Sequence, residues 1–118
     1  MPIYKVLWPN NTTPVHPIVG KGRRLYGGYL FNVAATPRYL RFFDTLAAPT
    51  MGATSPVLVL PIPGEAKVGA GGVVPFQLPL EFTAIFDNGL WISVTTGIAD
   101  LDNTAPGASE VIVNLLLN

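Results

Sequence analysis

Few residues of this chain carry side chains that act as bases, nucleophiles or metal ligands. The 118 residues include one histidine and no cysteine, and only 12% are charged. Nucleophilic catalysis of the triad type needs a base held beside the nucleophile. The one imidazole, His16, lies between Val15 and Pro17 in a stretch without regular patterning. Without cysteine there are no disulfides and no thiolate metal sites. We therefore expect no catalytic residues.

The acidic residues do not form an obvious pair or chelating set. A glycosidase needs two carboxylates at a fixed separation, and nothing in the spacing singles out such a pair. The segment that contains Asp100 and Asp102 resembles the start of a calcium loop. The resemblance fails because Ala105 stands where glycine is required and Glu110 comes one residue too early for the closing ligand. We expect a polar turn here, with no metal ion and no cofactor.

The overall composition argues against nucleic-acid and membrane partners. Seven basic and seven acidic residues give a formal net charge of zero, whereas nucleic-acid binding needs clustered Lys and Arg. The apolar runs are far shorter than the roughly 20 residues that span a bilayer. The first residues lack the basic and apolar regions of a secretory signal. We expect neither kind of partner.

Proline and glycine divide the chain into short strand-like runs. Each contributes 12 residues, a spacing that long helices do not tolerate. Seven short strands separated by turn signals predict an all-β fold, a small antiparallel β-sandwich of the jelly-roll or immunoglobulin-like kind. The predicted strands are residues 3–8, 24–32, 38–43, 56–62, 78–86, 90–96 and 110–117.

One predicted strand pair has a strong turn signal. In residues 90–96 the aliphatic side chains at positions 90, 92 and 94 alternate with Trp91, Ser93 and Thr95. We expect the aliphatic side chains to face inward and the others to face outward. The preceding Asp87-Asn88-Gly89 is typical of a tight hairpin turn. We therefore predict that residues 78–86 and 90–96 form a hairpin.

The first 22 residues are predicted to form an N-terminal arm. The stretch from Pro9 to Gly22 is longer than most connections in compact domains. With the predicted strand 3–8 ahead of it, the segment is suited to lie on a neighbour or to add a strand to its sheet; a terminus without a role is the alternative. We divide the chain into an arm, 1–22, and a β-sandwich domain, 23–118. The glycine-rich residues 64–72 are predicted to be a surface loop.

Two predicted strands, 57–62 and 111–117, are apolar on both faces. One face enters the core, and the other needs a second covering layer, for which we favour another subunit over a strand enclosed within the fold. A second hypothesis is a sugar-binding module, in which exposed aromatic residues stack on a sugar ring; Trp91 and Tyr29 are its candidates. The residues that we predict at an interface with another subunit or with a larger particle are Ile3, Tyr4, Val6, Trp8, Val57, Val59, Ile112 and Leu116.

Several short runs together resemble a family of virus proteins. They are LYGGYLFN at 25–32, RYLRFFD at 38–44, PVLVLPIP at 56–63 and ISVTTGIAD at 92–100. The chain resembles small virion proteins of tailed bacteriophages and cyanophages, in which a Leu-Tyr-Gly strand precedes an Ala-Arg-Tyr-Leu-Lys-like strand. The similarity covers roughly residues 24–117 and does not extend to the first 22.

The resemblance implies a β-sandwich protein of the virion, in the first place a capsid decoration or cement protein. Such a protein is made in the host cytoplasm and binds the outer surface of the phage head. Its partners would be further copies of itself, as a homotrimer, and the major capsid protein. The resemblance implies no catalytic residues. The alternatives are a glycan- or receptor-binding module of a phage fibre and a tail or neck component.

Overall fold

The computed structural model describes residues 3–16, 22–64, 73–77 and 84–118, of which 73–77 and 84 are described as backbone only. Within these ranges there is no helix, and so none that could cross a bilayer. The all-β prediction is confirmed. The strands are β1 (Ile3–Leu7), β2 (Arg23–Asn32), β3 (Arg38–Asp44), β4 (Leu58–Ile62), β5 (Val73–Gln77), β6 (Ala84–Phe86), β7 (Leu90–Thr95) and β8 (Val111–Leu117).

The strands form two antiparallel sheets that pack face to face. Sheet A has the order β1-β8-β2, and β5 and β6 both pair with the remaining edge of β2. Sheet B has the order β4-β3-β7. All the ladders are antiparallel. The predicted small antiparallel β-sandwich is therefore confirmed.

The core is filled by alternate residues of the central strands. In β8 every second side chain, from Val111 to Leu117, has no exposed surface, while the side chains between them are half-buried. Leu40 and Phe42 of β3 supply the opposing layer from sheet B and are also fully buried. This two-residue period is what a sheet with one face on the core requires. The inward row predicted for β7 is confirmed: Leu90, Ile92 and Val94 are fully buried.

The predicted hairpin between residues 78–86 and 90–96 is wrong for the part that the structure describes. β6 pairs with β2 in sheet A, whereas β7 pairs with β3 in sheet B, so the turn at Asp87–Gly89 crosses from one sheet to the other. The Asp44 carboxylate accepts hydrogen bonds from the N–H groups of Asn88 (2.8 Å) and Gly89 (3.3 Å), which ties the turn to the end of β3. Residues 78–83 lie outside the described ranges, and β5 was not predicted.

The described part of the predicted arm is built into both sheets. β1 is an edge strand of sheet A, paired along its length with β8. The backbone N–H of Trp8 donates to the Val111 carbonyl at 2.8 Å, and the Trp8 side chain is fully buried. Val15 then exchanges two backbone hydrogen bonds of 2.9 Å with Ile92, at the edge of β7 in sheet B. Residues 3–16 therefore run from one sheet edge to the other instead of extending away from the sandwich.

Candidate functional site

The outer face of sheet A is largely apolar. Inward rows of β1, β8 and β2 fill the core, which leaves the alternate rows outside. The register pairs Ile3 with Leu116 and Leu7 with Ile112, so aliphatic side chains of two strands lie side by side. Ile3 is 68% exposed and Leu7 50%. We call this surface the outer face of sheet A, and its described apolar members are Ile3, Leu7, Tyr29, Phe31, Ile85, Ile112 and Leu116.

The charges on this face are all positive among the described residues. Lys5 is exposed between Ile3 and Leu7 and pairs with Asn114 of β8. Arg24 is exposed at the opposite edge, where it pairs with Ile85 of β6. Exposed apolar surface of this kind, continuous over several strands, is typical of a binding surface. Its basic groups favour a partner surface that carries carboxylates.

Among the described residues, the edge strand β1 pairs on one side only, with β8, which leaves part of its backbone without a strand partner there. Because Trp8 donates to Val111, the alternation of an antiparallel ladder directs the backbone groups of Ile3, Lys5 and Leu7 away from β8. Such an edge can pair with another chain, and a central lysine is a usual way to restrain it. Lys5 occupies that central position.

The predicted interface residues of the N-terminal segment and of β8 divide between two environments. Ile3, Ile112 and Leu116 lie on the outer face of sheet A, where a partner can reach them. Tyr4 and Val6 point the other way and pack against the core, and burial raises the pKa of the Tyr4 hydroxyl. The prediction for Trp8 is wrong, because its side chain is fully buried and its indole N–H donates to the Asn11 carbonyl at 2.8 Å. A composition-based prediction treats both rows of β1 alike, whereas the pairing with β8 separates them.

The predicted interface residues near β4 lie on the other side of the molecule. Val57 is 62% exposed immediately before β4. Val59 is half-buried and pairs with Arg41, which places it on the outer face of sheet B. The eight predicted residues therefore do not form one surface. The structure separates them into an outer set on sheet A, a core set and an outer set on sheet B.

A buried arginine organises a loop over sheet B. Arg41 has no exposed surface. Its Nε donates to the Thr95 hydroxyl at 2.8 Å, and its two terminal nitrogens donate to three carbonyls of the following loop, at 2.7–2.9 Å. Buried charges need such complete hydrogen bonding. We call residues 97–102 the Arg41 loop. Sequence reasoning missed this role, since Arg41 occupies an outward position in β3 that is usually exposed.

Asp102 closes the Arg41 loop from within. Its carboxylate accepts hydrogen bonds from the N–H groups of Gly97 (3.3 Å) and Thr104 (3.0 Å) and from the Thr104 hydroxyl. Burial raises the pKa of this carboxyl, but these hydrogen bonds and the charge of Arg41 together hold the pKa below its usual value. A Cβ at Gly97 would press on the same carboxylate. In the predicted polar turn, Asp102 therefore has a structural role. No cluster of three metal-ligating side chains occurs among the described residues.

The tip of the Arg41 loop is apolar and acidic. Ile98 is 70% exposed and Leu101 49% exposed, although both belong to a loop that Arg41 holds in place. Asp100, between them in the sequence, is exposed, and its backbone carbonyl accepts a hydrogen bond from Arg41. The tip is therefore a small, fixed apolar projection with a carboxylate on it.

The two aromatic residues predicted to stack on sugar do not share a surface. Tyr29 is 57% exposed on the outer face of sheet A. Trp91 lies on the outer face of sheet B, where His16 stacks on it with ring centroids 4.7 Å apart, and its indole N–H donates to the Thr45 carbonyl at 3.1 Å. His16 therefore acts structurally, covering Trp91 and holding residues 12–16 along the edge of β7.

Comparison with known proteins gave no match: no family model, no curated protein and no solved structure is significantly similar to this chain. Among the described residues, exposed apolar side chains lie together on the outer face of sheet A and at the tip of the Arg41 loop.

Proposed function

We propose that this chain is a structural protein of a tailed-phage particle, a capsid decoration or cement protein that binds the outer surface of the head and joins adjacent capsomers. The observation that carries the proposal is the exposed apolar outer face of sheet A, with Ile3 at 68%, Tyr29 at 57% and Leu7 at 50% exposure on an ordered sandwich. A surface of this kind is stabilised by a partner, since burial contributes about 25 cal/mol per Å² of apolar area.

The chemistry of the surface suits attachment to a lattice. Short aliphatic side chains lose less conformational entropy when they dock than long charged ones do. Many identical weak contacts then act together, because each bound copy raises the effective concentration of the next. In this proposal the partners are the major capsid protein and further copies of the chain, with a homotrimer expected, and the protein is located on the capsid surface.

The test is to locate the chain on particles. An antibody raised against the purified chain is applied to density-gradient-purified phage particles from the organism that carries the gene, followed by gold labelling and electron microscopy. We expect labels over the outer surface of the heads. Labels confined to tails or necks would contradict the head assignment, and particles without any label would contradict the proposal.

A glycan-binding module is the second candidate, and one observation favours it. Tyr29 presents an exposed aromatic side chain, and an exposed aromatic ring can stack on a sugar ring. A glycan array probed with the wild-type chain and with Tyr29→Ala separates the two functions. Binding that the substitution abolishes would favour the glycan module, whereas an array without signal favours the structural role.

A further inference from the structure

Two exposed apolar surfaces of this chain carry opposite charge. On the outer face of sheet A, Lys5 and Arg24 accompany the apolar side chains. On the Arg41 loop, the exposed acidic residue Asp100 stands in the sequence between the exposed Ile98 and Leu101. Complementary charge on apolar surfaces selects a partner and sets its orientation.

These surfaces lie on opposite sides of the sandwich. Leu40 and Phe42 of β3 face the core, so the alternate residue Arg41 and the loop that it holds belong to the outer side of sheet B. A single copy therefore cannot bring its own loop onto its own outer face of sheet A. Two copies can, with the loop of one against the face of the next.

The Arg41 loop is prepared for docking before it binds. Three hydrogen bonds from Arg41 hold backbone carbonyls of the loop, and the Asp102 carboxylate holds the Gly97 N–H, so little conformational freedom remains to be lost. Pre-organised surfaces bind more tightly for the same buried area. A loop that displays Ile98 at 70% exposure while its base is fully bonded is suited to insert into a partner.

The charges also argue against an association in which two copies pair through their β1 edges. If two copies joined through their β1 edges with the strands antiparallel about their centres, Lys5 of one would stand directly opposite Lys5 of the other. Like charges placed opposite each other across strands destabilise the pair. The acidic loop of a second copy meets no such repulsion.

We propose that copies of this chain associate head to tail, with the Arg41 loop of one copy docked on the outer face of sheet A of the next and Asp100 close to Lys5. This deepens the proposed function, on which it rests for its biological purpose, by naming the surfaces through which copies join. Contacts of this heterologous kind build a closed ring, such as a trimer, or an open chain, depending on the rotation between successive copies.

The experiment is a charge exchange followed by sedimentation equilibrium of the purified full chain. Lys5→Glu and Asp100→Lys are each expected to weaken self-association by about 10-fold. The double variant Lys5→Glu/Asp100→Lys is expected to restore it to within about 3-fold of wild type, because every head-to-tail contact then again joins opposite charges. Asp87→Lys, an equal charge change at an exposed position outside the loop, is the matched control and is expected to leave association unchanged. Circular dichroism verifies that each variant is folded.

Several results would overturn the inference. It fails if the wild-type chain does not associate, if either single variant associates as the wild type does, or if the double variant stays as weak as the single variants. It also fails if Lys5→Glu abolishes binding to phage heads without changing self-association, since the face would then belong to the shell. Association without any binding to heads would refute the cement function and leave the head-to-tail contact standing.

Discussion

At the scale of single residues, Arg41 has the largest structural role among the charged side chains described. It is fully buried, and it donates to the Thr95 hydroxyl and to the carbonyls of Gly97, Ala99 and Asp100. Burial lowers the pKa of its guanidinium, while the nearby Asp102 and Asp100 oppose that shift. An arginine stays protonated in such a site, so the loop is built around a permanent positive charge.

We predict that Arg41→Met lowers the free energy of unfolding by about 3 kcal/mol, because it removes these donors from buried acceptors. The matched control is Arg38→Met, which removes a partly exposed ion pair with Glu110 (2.9 Å) and should cost about 1 kcal/mol or less. Chemical denaturation of both variants measures the difference. Equal losses would show that the Arg41 contacts contribute no more than a surface pair.

His16 makes the stability of the fold sensitive to pH. Its Nε2 is buried without a hydrogen-bond partner among the described residues, and burial, followed by the charge of Arg23, lowers its pKa below 6.5. Above pH 6.5 the imidazole is neutral in both states. As the pH falls through 6.5, the unfolded chain takes up the proton first, so the free energy of unfolding decreases until the pH passes the lower pKa of the folded state.

The prediction is that His16→Phe removes this decrease, which begins as the pH falls below about 7. The phenyl ring keeps the stacking on Trp91 but does not titrate. His16 is the one histidine of the chain, and the shifted carboxyls of Asp102 and Glu110 have lowered pKa values that act at more acidic pH. Urea denaturation at several pH values measures the effect, and an unchanged pH dependence in the variant would exclude His16 as its source.

At the scale of elements, the close contact of β2 and β8 depends on a glycine. A Cβ at Gly28 would lie against the backbone carbonyl of Asn114, well inside van der Waals contact. These strands carry the longest ladder of sheet A, from Asn32 with Val111 to Leu25 with Leu117. The backbone approach therefore fixes the spacing on which the outer face of sheet A depends.

We predict that Gly28→Ala lowers the free energy of unfolding by about 3 kcal/mol, since the two backbones must move apart. Gly22→Ala is the control, because nothing lies within 4 Å of its Cβ position and only its φ of +69° is unfavourable; its cost should be about 1 kcal/mol. Thermal unfolding compares the two. Similar losses would show that the strand spacing tolerates a methyl group.

The elements were predictable from local patterns, whereas their partners were not. Alternating apolar residues located β7 and β8 within one or two residues, because the two-residue period is a property of each strand alone. The residue types at Asp87–Gly89 predict a hairpin turn, but the turn joins two sheets. The choice of strand partner depends on contacts with the distant Asp44, which a local pattern does not show.

The candidate surfaces were predictable only in part, for the same reason. The sequence predicts Ile3, Ile112 and Leu116 at an interface, and the structure places them on the outer face of sheet A; the interface itself stays a prediction. The sequence did not identify the Arg41 loop, since a buried arginine that binds carbonyls leaves no motif in the sequence. Nor did it place Trp8 in the core, because irregular residues after β1 gave no sign that they return to the sandwich.

At the scale of the whole molecule, the sandwich has two exposed apolar surfaces and no net charge to keep copies apart. Net charge opposes association, and its absence leaves apolar contact free to drive assembly. Two exposed leucines allow a matched comparison: Leu7 lies on the outer face of sheet A, and Leu46 follows β3. The same substitution by a charged residue can be made at each. The first is expected to take part in assembly and the second is not.

The most direct test of the account is the mass of the chain in solution as a function of concentration. Sedimentation equilibrium from about 1 to about 300 µM, the range in which modest contacts form, should show the wild-type chain and Leu46→Glu rising above the 12.6 kDa of one copy. Leu7→Glu should remain a single copy throughout. A wild-type chain that stays at 12.6 kDa at every concentration would contradict the claim that its apolar outer face is covered by other copies.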